Sequence, residues 1–128
     1  MANQVLEFDR VGSIGLEMPG VEESTAYGMP ALKVKGKLLA CVPANRAAEP
    51  GSMVLRVDFE TRAELLAAAP DVYYLPEHYV DYTAVLVRLS RVTPDILRQQ
   101  LLMAYKFVTA EKPARSPSRG RRKRPANL

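Results

Sequence analysis

The stretch at residues 27–41, Tyr-Gly-Met-Pro-Ala-Leu-Lys-Val-Lys-Gly-Lys-Leu-Leu-Ala-Cys, constrains the fold more than any other part of the chain. Two short apolar runs, at 31–34 and 38–42, flank Lys35-Gly36-Lys37. Gly36 has no Cβ, so it adopts the permissive backbone that a tight antiparallel connection needs. Successive strand residues point to opposite faces, which puts Lys33 and Lys35 on one side and Leu32 and Val34 on the other. The pattern predicts a β-hairpin with one apolar and one cationic face. It contains no catalytic signature.

The flanking segments supply what such a hairpin must pack against. Val5, Phe8, Val11 and Met18 recur at roughly helical spacing before Pro19-Gly20. Gly12 and Gly15 weaken that helix by up to about 1 kcal/mol each, and their missing side chains would let another element approach closely. Met53, Leu55, Val57 and Phe59 alternate with polar or smaller residues, as in a third strand. Thr61-Arg62-Ala63-Glu64 fits a capping box opening a short helix that Pro70 stops. Residues 72–75 are β-prone, 76–81 read as a turn, and 82–89 form a strong strand. Thr93-Pro94-Asp95 begins a last helix, with Leu97, Leu101, Ala104 and Val108 in one stripe. The order α-β-β-β-α-β-β-α predicts a two-layer α+β domain, an antiparallel sheet of about five strands with helices on one side.

The 128 residues suit one domain at 1–110, followed by a basic segment at 111–128 rich in Lys, Arg, Pro, Ser and Gly that reads as disordered. The net charge of +4 is unevenly divided. Residues 111–128 hold seven basic residues and one acidic, a net of +6, which leaves the first 110 residues at −2. No apolar run approaches the roughly 20 residues of a membrane helix, so no membrane partner is expected. The N-terminus lacks the pattern of a secretory signal. A single cysteine, Cys41, fits a reducing compartment. The expected location is the cytoplasm, with nucleoid association.

With these elements placed, the sequence resembles the MmcQ/YjbR family of small bacterial proteins. The resemblance rests on Pro19-Gly20-Val21-Glu22-Glu23-Ser24, on residues 27–37, and on Val54-Leu55-Arg56-Val57-Asp58. It continues through His78-Tyr79, Val85-Leu86-Val87-Arg88-Leu89 and the final helix, covering roughly residues 5–109. It implies the same α+β order, of a secretion-chaperone-like kind. The family usually carries a DNA-binding label, which would fall here on Lys33, Lys35 and Lys37 of the hairpin, on Arg56 and on Arg88. The chain departs from the family by its basic tail and by having no tryptophan.

The tail carries its own signal. Arg119-Gly120-Arg121, with Arg122, Lys123 and Arg124, resembles the Arg-Gly-Arg core of an AT-hook, although Ser118 and Arg122 replace its usual flanking prolines. Cations there need no fold to displace condensed counterions from a polyanion. Against this stands the ordinary use of such residues: lysines on exposed strands discourage edge pairing, and charge runs are often only solvated.

No nucleophile elbow, P-loop or dinucleotide fingerprint occurs, so no enzyme is expected, and no cofactor. His78 is the one histidine, and no His or Cys pair has metal-ligand spacing. Tyr73, Tyr74, Tyr79 and Tyr82 read as half-buried core with polar tips rather than as a base-stacking platform. The leading expectation is a non-enzymatic DNA-binding protein using backbone contacts from tail and hairpin. The alternative is a protein-interaction module, chaperone-like and dimeric, without a specific nucleic-acid site. A third reading, a small-molecule binder, requires a deep pocket around Tyr27, His78 and Tyr79.

Overall fold

The computed structural model describes residues 4–110; the basic segment expected to be disordered lies outside them. Helix α1 (Gln4–Gly15) leads into strands β1 (Val21–Ala26), β2 (Met29–Val34), β3 (Lys37–Cys41) and β4 (Ser52–Arg56). Helix α2 (Phe59–Ala68), strands β5 (Tyr73–Tyr74) and β6 (Ala84–Arg88) and helix α3 (Pro94–Ala110) complete the order. Single 3-10 turns occupy Glu77–Tyr79 and Leu89–Arg91. The six strands form one antiparallel sheet in the order β1-β2-β3-β4-β6-β5. The α+β class and the one-sided helices are as the sequence implies.

The strand beyond the expected five is β1. Val21-Glu22-Glu23-Ser24-Thr25-Ala26 buries only Val21, so it offers almost no hydrophobic periodicity to read. It is an edge strand, paired to β2 from Val21↔Val34 to Ala26↔Met29. The third predicted strand also stops early, at Arg56. Asp58 caps α2 by accepting from the Thr61 N–H at 2.6 Å, which displaces the expected Thr61 cap by three residues.

One face of the sheet carries Leu32, Val34, Leu39, Met53, Leu55, Val85 and Val87 and meets all three helices. Helix α3 supplies Leu97, Leu101, Ala104 and Val108, the stripe read from sequence, and α1 supplies Phe8, Val11 and Ile14. Gly15 is where α1 closes on β2, because a Cβ there would run into the Leu32 side chain. Burying a side chain such as Leu55 or Leu101 contributes about 2 kcal/mol, so this layer dominates stability.

The second face carries Ala31, Cys41, Val54, Ala84 and Leu86. No helix covers it. It is covered instead by Tyr79 and by the partly buried Ala48, Leu75 and Tyr82 of the β3–β4 and β5–β6 connections. An extra residue in β3 sets which side chains reach this face. The pairing runs Lys33↔Leu38 and then Leu32↔Ala40, leaving Leu39 unpaired in a bulge.

Candidate functional site

Two loops crossing the helix-free face leave a pocket of about 410 Å3 between them. Cys41 and Val54 of the sheet form its floor, and Pro43, Ala44 and Asn45 of the β3–β4 connection form one wall. His78, Tyr79 and Tyr82 form the opposite wall, and Tyr27 reaches in from the β1–β2 turn. Among the described residues lining it there is no Lys, Arg, Asp or Glu. Pockets of this size lie near the lower end of the range that holds small organic ligands.

The aromatic wall is fixed from outside. His78 packs edge-on against Tyr79, with centroids 4.8 Å apart and planes at 85°, and lies 6.1 Å from Tyr82. The loop bearing these rings has its carbonyls gathered around the guanidinium of Arg62 on α2. Arg62 donates to the carbonyls of Tyr82 (2.8 Å), Val80 (3.1 Å), Ala84 (3.3 Å) and Tyr79 (3.4 Å), and lies 4.8 Å above the Phe59 ring. Burial lowers the Arg62 pKa, with Asp81 opposing the shift. Arg62 is therefore a positioning residue for the pocket wall.

Tyr27 is held differently. It and Gly28 form the two-residue turn between Ala26 and Met29, with φ of 56° and 80°. Both central residues have positive φ, the backbone signature of a type I′ turn, where Asn-Gly is the favoured pair. A bulky residue there accepts a cost of about 1–2 kcal/mol. The residue is still 57% exposed, so burial in the core does not offset that cost. Burial against the pocket, then Tyr82 and Cys41, raise its phenol pKa. For Tyr79 burial is again the leading cause of a raised pKa.

The floor is chemically quiet. Burial pushes the Cys41 thiol up to about 12, and nearby Lys33 offsets only part of that. A thiol so shifted stays protonated and is a poor nucleophile. Among the described residues no group of three His, Cys, Asp or Glu side chains converges to hold a metal.

The cationic residues singled out from sequence do not form one row. Lys33 is half-buried on the helix-free face and stands opposite Glu22 in the register. Lys35 is exposed in the β2–β3 turn at φ 54°, followed by Gly36 at 78°. Lys37 reaches the helical side and donates to the Val108 carbonyl at 3.2 Å. Arg56 donates to the Thr83 carbonyl (2.9 Å) and hydroxyl (3.0 Å) and lies 5.3 Å from the Phe107 ring centroid. Arg88 makes a two-pronged bond to Glu49 at 2.9 Å, donates to the Pro70 and Asp71 carbonyls, and covers the Tyr74 ring at 4.4 Å. Arg119, Arg121, Arg122, Lys123 and Arg124 lie outside the described residues.

The tyrosines follow the core reading. Tyr73 and Tyr79 are buried, and Tyr74 and Tyr82 are half-buried. The Tyr73 hydroxyl accepts from Gln100 at 2.8 Å, and the Tyr74 hydroxyl accepts from the Glu49 N–H at 2.7 Å and bonds Ser52 at 2.6 Å. Sequence reasoning missed Arg62 and Asn45. Nothing in a short helix of weak periodicity marks a side chain that acts 17–22 residues away.

A family model described as YjbR matches residues 16–107. A comparison with curated proteins finds no match. Among solved structures, the chain is similar to the crystal structure of Deinococcus radiodurans protein DR2400, described as carrying the DUF419 family-model domain. The two are 24% identical, with a TM-score of 0.65 over 81% of this chain and 79% of that one. That likeness concerns the fold.

Proposed function

The chain belongs to the YjbR family, and from that premise we propose that it is a non-enzymatic protein that associates with DNA mainly through phosphate contacts. The observation that carries this reading is the separation of charge, +6 over residues 111–128 against −2 over the rest. Arg119, Arg121, Arg122, Lys123 and Arg124 supply most of the attraction, and A·T preference is not part of the reading. From the folded body, Lys35 in its exposed turn and the neighbouring Lys33 would assist in this reading. Lys37, Arg56 and Arg88 hold internal contacts and would have to surrender them to reach a phosphate.

Strand addition by a protein partner finds less support. The β1 edge carries Glu22 and Glu23, and β5 at the other edge is two residues long, both features that discourage pairing.

The test is duplex binding by the full chain and by a 1–110 truncation across a salt series. If all seven basic residues of the tail meet phosphates, log K falls with log salt at a slope of about −6. The truncation is expected to lose that slope and most of the affinity. Binding that survives truncation and disappears in a Lys33→Gln, Lys35→Gln variant would relocate the site to the hairpin. Binding that survives both changes would sink the proposal.

A further inference from the structure

The pocket on the helix-free face is not used by a phosphate-binding reading, and its chemistry is of another kind. Apolar groups from Cys41, Pro43, Ala44 and Val54 meet the rings of Tyr27, His78, Tyr79 and Tyr82, with Asn45 as the polar wall. An ionised ligand would lose water there and meet no lining Lys, Arg, Asp or Glu. A flat, uncharged ring gains both apolar burial and stacking or edge contacts on aromatic neighbours. The Asn45 side-chain oxygen Oδ1 already accepts from the Ala47 N–H at 2.8 Å, which fixes the orientation of its amide.

Tyr27 adds the independent observation. A chain selected only for folding would place Asn or Gly at the first position of this turn. Here a large aromatic occupies it at φ 56°, over half exposed, with its ring lining the pocket. Departures from local rules collect at functional positions. Lys35 shows the same backbone in the next turn, but a lysine extends into water, whereas Tyr27 stays against the pocket.

We propose that this pocket binds a free small molecule built on a neutral planar heteroaromatic ring, with Tyr27 as the residue that closes over it. The proposal is independent of the DNA reading, and either can fail alone.

The chain provides its own reporters. His78 is the single histidine, so its carbon-bound ring protons are identifiable by NMR without full assignment. The full-length protein would be titrated with indole, with adenosine, and with cyclohexanol as a saturated control. Indole or adenosine should shift the His78 ring protons saturably, while cyclohexanol does not. Tyr27→Asn should keep or raise the melting temperature, because Asn-Gly suits the turn, and should weaken binding at least about tenfold, or 1.4 kcal/mol. Ala44→Phe, at the exposed mouth, should block the pocket without touching the turn. The proposal is overturned if neither aromatic probe shifts His78 up to about 10 mM, a concentration that would reveal even millimolar affinity. It is equally overturned if cyclohexanol binds as well, if both variants bind like the parent, or if only single-stranded DNA shifts His78.

Discussion

The guanidinium of Arg62 donates to the carbonyl of Tyr82 at 2.8 Å and joins α2 to the loop that walls the pocket. Its reach extends to two further carbonyls of that loop, Tyr79 and Val80, and to Ala84 at the start of β6. Charge-assisted hydrogen bonds are worth about 1.5–3 kcal/mol where a partner is otherwise left dry. Arg62→Met should therefore cost about 2 kcal/mol in urea unfolding and move the His78 ring-proton signals. Arg62→Lys should recover only a part, since an ammonium cannot span four carbonyls as a planar fork does.

Arg88 separates stability from binding. It holds Glu49, two carbonyls and the Tyr74 ring. Arg88→Ala should lower stability by about 2 kcal/mol while leaving the salt slope of DNA binding unchanged. A slope reduced by about one would instead place Arg88 on a phosphate.

Acid should loosen the molecule in a defined window. Hydrogen bonds from Arg98 hold the Glu17 carboxyl below its usual pKa, Arg88 does the same for Glu49, and the Thr61 backbone for Asp58. Their folded pKa values are depressed, so their stabilisation is complete above the ordinary carboxylate range and lost as pH falls below it. All three are solvent-exposed, so each effect is small and Glu17 and Glu49 are salt-sensitive. Urea midpoints measured from neutral pH downward should hold level and then decline, and Glu49→Gln should flatten part of the decline.

Cys41 should resist alkylation. With its pKa at about 12 and its side chain buried, iodoacetamide should label it only during opening of the structure. Mass spectrometry should show labelling that speeds up with urea; rapid labelling in buffer would show the pocket floor to be open to reagent.

Gly15→Ala tests a balance of two opposing terms. Alanine improves helix propensity by about 1 kcal/mol, but the added Cβ meets Leu32, and overpacking costs about 1–3 kcal/mol. The expected result is a lower melting temperature. Gly12→Ala meets only Glu23 Oε2 at 3.5 Å, an ordinary contact, and should be neutral or stabilising.

The elements with their own periodicity were legible. The α3 stripe follows from spacing alone, and Gly36 marks the β2–β3 turn. Strand β1 was hidden because only Val21 is buried, and the α2 cap was misplaced because Thr61-x-x-Glu64 mimics a start that Asp58 makes instead. At the site, Tyr27, His78 and Tyr79 could be grouped from sequence as what a ligand pocket would need. Arg62 and Asn45 could not, because their roles depend on which loops meet above the sheet. The lysine row failed to assemble for a geometric reason: alternation put Lys37 on the opposite face from Lys33, and the turn took Lys35 out of the strand.

The surplus residue in β3 has a consequence for the pocket. Were the β2–β3 hairpin to zip from its turn without it, Ala40 rather than Cys41 would stand across from Ala31, and the parity of everything beyond would invert. Cys41 would slide beneath the helices, and Val42 would surface on the far side. One unpaired leucine thus acts as a phase shifter. It lets a single strand feed the main core and still deliver a sulfur to the opposite chamber.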